Sequence, residues 1–196
     1  MTSTVNASTT SGVIVTSDTS GALALQTANT TALTISSGQI ATFANPLTSA
    51  SMPSGSVIQV YNVTAQTTFS TTSTSIVQGP QTATFTLSSN SNKVLVIANF
   101  GVYAYSGSAL NAYMEYSIYR GSIASGTKLN IANIDSNGSV SGQYTAVGGE
   151  IYQTVTLSWL DTPTASTTYS VGFSSHSGQT NAIMQGYNIT LMEIKA

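Results

Sequence analysis

Lys93-Val94-Leu95-Val96-Ile97-Ala98-Asn99-Phe100-Gly101-Val102-Tyr103-Ala104-Tyr105 is the stretch on which the reading of the fold turns. Taken as a strand, its period of two puts Val94, Val96, Ala98, Phe100 and Val102 on one face. Leu95, Ile97, Tyr103 and Tyr105 fall on the other. A sandwich strand with one wet face is polar at alternate residues. This one is apolar on both sides, so its second face needs a cover. Residues 182–195 repeat the pattern, with Ile183, Tyr187, Ile189 and Leu191 expected on one face and Met184, Met192 and Ile194 on the other. In a single-domain sandwich the simplest cover is another subunit, with loops or the amino-terminal arm as the alternative. The candidate subunit interface is therefore Leu95, Ile97, Tyr103, Tyr105, Met184, Tyr187 and Met192.

Composition extends the β reading to the whole chain. Of 196 residues, 41% are hydrophobic and only 5% charged, against about 25% in an ordinary soluble domain. Serine, threonine, glycine and asparagine fill the gap, and these residues are poor in helix interiors. Threonine suits a half-buried pleated surface. A mean hydropathy of +0.15 with a net charge of -2 lies far from the hydrophilic, highly charged profile of disordered chains. The chain is read as all-β. A neutral, hydroxyl-coated β protein resists self-association poorly unless its edges are closed or covered by partners, which favours an obligate oligomer.

Outward from the opening stretch, further strands are expected at 56–63, 67–71, 82–87, 112–120, 128–131, 151–160, 167–174 and 182–195. Turns separate them at Ser88-Ser89-Asn90-Ser91-Asn92, Tyr105-Ser106-Gly107-Ser108, Ser136-Asn137-Gly138, Asp161-Thr162-Pro163 and Ser177-Gly178-Gln179. Eight or nine strands with no helix between them imply a sandwich or jelly roll over residues 51–196. Residues 1–50 differ, with Phe43 their one aromatic residue and Asp18 their one charge. An apolar pair recurs there: Val13/Val15, Leu23/Leu25, Leu33/Ile35 and Ala41/Phe43, the first three spaced by ten residues. Each unit reads as a short strand and a polar turn. Two buried side chains cannot hold such a strand alone, so ordered rungs must stack or be shared between chains. A disordered Ser/Thr-rich arm is the other reading. Asn45-Pro46 through Gly55 is a linker by composition.

Several partner classes lack support. Lys93, Arg120, Lys128 and Lys195 are scattered and form no patch for a phosphate backbone, so nucleic acid is not an expected partner. No stretch approaches the ~20 apolar residues of a membrane-spanning helix, so no membrane insertion is expected. Met1-Thr2-Ser3-Thr4-Val5 has neither the basic start nor the apolar run of a secretory signal. Without cysteine there is no disulfide or thiolate metal site, and a cytosolic site of synthesis fits.

The order of short motifs in the head carries a family resemblance. Met52-Pro53-Ser54-Gly55-Ser56-Val57-Ile58-Gln59-Val60 opens it, and Ser73-Thr74-Ser75 follows. Ser88 to Val96, Tyr119-Arg120-Gly121-Ser122 and Leu160-Asp161-Thr162-Pro163 come next, and Ile189-Thr190-Leu191-Met192-Glu193-Ile194 closes the run. With Thr9-Thr10-Ser11-Gly12-Val13 and Ala32-Leu33-Thr34-Ile35 upstream, the chain resembles fibre proteins of environmental and marine bacteriophages. The resemblance implies a homotrimeric protein of the virion surface with a tumour-necrosis-factor-like jelly-roll head. Residues 1–50 would engage other virion proteins. Only about fifty residues precede the head, so tail, collar and capsid remain open as attachment points.

Catalytic constellations are weak. His176, in Ser174-Ser175-His176-Ser177-Gly178, is the one histidine, and its serine neighbours follow from composition. One histidine per chain cannot form a His-x-His iron pair. Asp18, Glu115, Asp135, Glu150, Asp161 and Glu193 are the acids. Glu115 with Arg120, and Glu193 with Lys195, read as surface or interface ion pairs, while Asp135 and Asp161 sit beside turns. No Gly-rich phosphate loop opens a helix. No catalytic residue, cofactor or metal ligand is therefore assigned. Trp159 reads as core. Amphipathic tyrosines stack well on sugars, so Tyr144 and His176 are the candidate contacts to a cell-surface glycan.

Overall fold

The computed structural model describes residues 3–8, 12–16, 19–45, 48–105, 112–129, 140–144, 150–175 and 181–196. The chain divides into two compact units, Met1–Met52 and Pro53–Ala196.

The first unit is one five-stranded sheet. Its strands are β1 (Ser3–Ser8), β2 (Gly12–Thr16), β3 (Leu23–Thr27), β4 (Thr30–Ile35) and β5 (Ala41–Phe43). They lie in the order β2-β1-β3-β4-β5, with β1 parallel to β3 and the other pairs antiparallel. All four apolar pairs of the sequence fall on strands of this sheet, with β1 standing between β2 and β3. Between β3 and β4 the two-residue turn Ala28-Asn29 has φ of 49° and 62°. Two left-handed residues give the mirror-image turn whose twist matches a hairpin, and asparagine tolerates the conformation better than alanine.

The second unit is a sandwich of two sheets. Its strands are β6 (Val57–Thr71), β7 (Val77–Gln81), β8 (Lys93–Tyr105), β9 (Ala112–Arg120), β10 (Thr127–Lys128), β11 (Val140–Tyr144), β12 (Glu150–Asp161), β13 (Tyr169–Ser175) and β14 (Asn181–Ile194). One sheet runs β12-β8-β14-β6. The other runs β10-β9-β13-β7, with β11 also on β9. Setting aside the two-residue β10, the eight remaining strands alternate between the sheets as 1-8-3-6 and 2-7-4-5 in chain order. That is the jelly-roll order. All pairings in the sandwich are antiparallel.

The core forms between the inner faces. Val94, Val96, Ala98, Phe100, Val102 and Ala104 of β8 meet Met114, Tyr116 and Ile118 of β9 and Val171 and Phe173 of β13. The Phe100 and Tyr116 rings meet edge to face at 5.6 Å. Trp159 packs against this core, as the sequence suggests.

Some expected strands are redrawn. Residues 56–63 and 67–71 are parts of one continuous β6. Residues 82–87 form no strand; Phe85 makes an isolated bridge to Thr167, and the Thr82 amide donates to the Tyr169 carbonyl at 2.8 Å. The strand expected at 128–131 is Thr127–Lys128, and residues 130 and 131 lie outside the described ones. A strand that the pattern misses is β7, whose Gly79-Pro80 reads as a breaker. β7 pairs only with β13, and an edge strand tolerates proline. Gly79 is needed there, since a Cβ would stand 2.6 Å from the Val171 carbonyl oxygen.

β14 carries a bulge. Its register slips between Gln185 and Tyr187 against both β6 and β8, and Gly186 takes up the slip at φ 54°. The slip inverts which residues face inward from that point on.

Candidate functional site: two apolar sheet faces and a tyrosine groove

The outer face of the β12-β8-β14-β6 sheet is ordered in rows of directly paired residues. Val60–Met192–Leu95–Leu160 forms an apolar row at one end. The next is Asn62–Thr190–Ile97–Ser158, and after it Thr64–Asn188–Asn99–Thr156. Thr68–Gln185–Gly101–Thr154 follows, then Ser70–Ile183–Tyr103–Tyr152. None of these residues is charged.

Each part of this face has its own chemistry. In the apolar row Val60 is 58% and Leu160 48% exposed, while Leu95 and Met192, with Ile97 of the next row, are half-buried. The middle is an amide and hydroxyl network. Asn62 Nδ2 donates to Thr190 Oγ1 at 2.8 Å and to Asn188 Oδ1 at 3.0 Å. Asn188 Nδ2 donates to Thr64 Oγ1 at 2.7 Å, and Thr156 Oγ1 donates to Asn99 Oδ1 at 2.6 Å. At the far end the Tyr103 and Tyr152 rings lie 4.6 Å apart at 33°. The Tyr103 hydroxyl donates to Glu150 Oε1 at 3.3 Å. Desolvation, the Tyr152 hydrogen bond and the Glu150 charge push its pKa up to about 12, so it stays a neutral donor.

Between the tyrosines and the amide network runs a groove. One cleft of about 410 Å³ is lined by Gly101, Val102, Tyr103, Tyr152, Gln153, Thr154 and Gln185. A second of about 320 Å³ shares Gly101 and Thr154 with it and reaches Asn99, Asn188, Thr64 and Gln66. Gly101 keeps the floor open, and a Cβ there would stand 3.0 Å from the Gln185 carbonyl oxygen.

Of the residues that the sequence proposes for a subunit contact, Leu95, Ile97, Tyr103, Tyr105 and Met192 lie on this half-buried outer face. Met184 does not. It is fully buried in the core, because the slip at Gly186 places it in phase with Val102 and Phe69. Tyr187 likewise turns inward, packs against the core and meets the Phe69 ring at 6.2 Å. For Tyr144 the structure gives the backbone pairing with Ala112, and its side chain lies outside the described residues. His176 lies outside them as well. Asn99, Gly101, Tyr152, Gln185 and Asn188 escaped the sequence reading. The available signal was the interruption of the outward apolar set of β8 by Asn99 and Gly101.

The acids also stand differently from their expected pairs. Glu193 is fully buried and accepts hydrogen bonds from Gln59 Nε2 (2.6 Å), Asn92 Nδ2 (2.7 Å) and the Ser88 amide and hydroxyl (2.8 Å each). Arg120 holds Asp161 in a two-point ion pair, with Nε to Oδ2 at 2.8 Å. Tyr169 OH donates to the same Asp161 Oδ2 at 2.8 Å. These carboxylates fasten loops and strands. Among the described residues no group of three or more His, Cys, Asp or Glu could hold a metal ion.

The first unit presents a second apolar face. Val15, Val5, Leu25, Leu33 and Phe43 are paired in one row across all five strands. Val15 is 71%, Leu25 39% and Phe43 52% exposed. The adjoining row on the opposite face, Thr4–Ala24–Thr34–Thr42, is mostly threonine.

No family model matches the chain. No curated protein matches it either. Among solved structures, a chain of the Gx strain of infectious bursal disease virus is 18% identical at a TM-score of 0.33, with 70% of this chain covering 32% of that one. A T=1 particle derived from infectious bursal virus gives 14% identity at a TM-score of 0.34, covering 70% and 36%. The CBM22-1 xylan-binding domain of Paenibacillus barcinonensis Xyn10C gives 14% at 0.30, covering 70% and 83%. The chain thus spans about a third of the length of the viral chains.

Proposed function

We propose that this chain is a structural protein of a virion, a short homotrimeric fibre whose head meets a host-surface glycan. The observation that carries the assembly is the row Val15–Val5–Leu25–Leu33–Phe43. It crosses a whole sheet and leaves large apolar side chains on one face. A sheet with one apolar face is stable when that face is buried against another layer. Three copies of the same sheet supply such layers to one another around an axis. The apolar row Val60–Met192–Leu95–Leu160 on the head supports the same reading, since it is also uncharged and open on one chain. Burial of apolar area gives about 25 cal/mol per Å², so two such rows per chain favour association.

The virion assignment draws on the fibre-like order of motifs, the charge content of 5% and the all-β architecture. In this reading the protein works by shape and persistence rather than by catalysis. Residues 1–50 form the end that other virion proteins hold, and the jelly-roll head faces outward.

Light scattering after size exclusion tests the assembly. A species near 61 kDa, three times 20.2 kDa, is expected. A clean 20.2 kDa monomer overturns the obligate trimer.

A further inference from the structure

The groove over Gly101 has a composition that neither the fold nor the assembly requires. A sheet face made for protein contact is closed by apolar side chains, as at Leu95 and Met192. Here an exposed aromatic pair stands at one end, and the floor is glycine. The remaining lining is amide, hydroxyl and aliphatic, with Phe100 and Tyr187 also reaching the second cleft, and no charged group takes part. Tyr152 is 72% exposed in spite of its ring contact with Tyr103, so it offers a free face. We propose that this groove is a binding site for a neutral oligosaccharide, with Tyr103 and Tyr152 as the stacking platform and Gln185, Asn99 and Thr154 as the polar contacts.

The chemistry of a sugar ring explains each element. A pyranose presents C–H groups on its faces and hydroxyls around its rim. The faces favour an aromatic platform, and tyrosine gives one at low cost in side-chain entropy. The hydroxyls each donate and accept, which an amide answers with both functions at once. Rows two residues apart lie about 6.8 Å from each other along the strand. From the tyrosine row to the Asn99 row is therefore about 13 Å, room for a short chain of sugars rather than one ring. Charge selects the class. Glu150, hydrogen-bonded to Tyr103, puts a negative charge beside the platform and would repel uronic or sialic acids. Thr156 Oγ1 donates to Asn99 Oδ1 and so holds that amide in a fixed direction before a ligand arrives.

This site deepens the fibre reading by naming where a glycan would bind and of what kind. It rests on that reading only for the gain from three copies. Binding by one chain and assembly of three are read by separate measurements, so either can fail alone.

The test is titration of the full chain with neutral gluco-, manno-, galacto- and xylo-oligosaccharides of four to six units, and with an oligogalacturonate as the acidic control. Calorimetry or saturation-transfer NMR reads the binding. At least one neutral series is expected to bind, with the acidic control weaker. Tyr152→Ala is expected to lower that affinity at least about tenfold. Thr154→Trp, which fills the junction of the two clefts, is expected to abolish it. Both positions are exposed, so both variants keep the wild-type melting temperature and mass. Absence of any neutral binder overturns the proposal. So does preference for the acidic glycan, or binding that both variants leave unchanged.

Discussion

Asn92 donates its side-chain amide to Glu193 at 2.7 Å across 101 positions of the chain, and both residues are buried. Glu193 thereby fastens the loop that precedes β8 to the end of β14. Burial acts to raise its pKa, but the bonds from Asn92, Gln59 and Ser88 outweigh it and hold the carboxyl below the ordinary value of 4.5. A lowered folded-state pKa stabilises the fold at pH values above the unfolded pKa. That stability is lost as the pH falls through 4.5 and below. The melting temperature of the wild type is therefore expected to drop on acidification through this window, and that of Glu193→Gln to drop less. Glu193→Ala, which strands the buried Asn92 amide and takes an acceptor from the partly buried donors of Gln59 and Ser88, is expected to cost about 1–3 kcal/mol at neutral pH.

The Arg120–Asp161 pair predicts an asymmetry. Asp161 is 2% exposed and Arg120 29%. Arg120→Ala leaves a buried carboxylate uncompensated, with an expected cost of about 3–5 kcal/mol. Asp161→Ala leaves a guanidinium that reaches water and a Tyr169 hydroxyl without its acceptor, with a smaller expected cost of about 2–3 kcal/mol. Denaturant midpoints at one fixed protein concentration give the order, and equal midpoints contradict it.

Assembly has its own substitution. Leu25→Asn with Phe43→Asn breaks the apolar row of the first unit at two exposed points without touching the head core. Its mass by light scattering is expected to fall from about 61 kDa to 20.2 kDa. Retention of the larger mass would move the contact to the head.

Much of the sandwich was legible in the sequence. β8 has the bounds read from its alternation, and its inward set is the core. Its outward set was only half read, because Asn99 and Gly101 were passed over between apolar neighbours. A single phase for β14 sends Met184 outward and groups Ile183 with Ile189; it puts Tyr187 with Ile189 and Leu191, which face the core, although Tyr187 is also named for the subunit contact. Alternation carries no mark of a bulge, although Gly186 is where one is cheapest. The partners of Glu193 lie 101 to 134 positions away, beyond any local pattern. β1 was missed because Ser3–Ser8 is short and polar, and its place between β2 and β3 is set by pairing rather than by its own side chains.

Gly186 gives β14 something like a reading frame. Before it, even positions such as Ala182 and Met184 are interior, and after it odd positions such as Ile189 and Leu191 are. Loss of this one residue by deletion would restore simple alternation and leave Met184, like Ile189 and Leu191, facing inward. Substitutions along this strand are graded by burial, but a single-residue insertion or deletion elsewhere in it shifts the frame that Gly186 corrects.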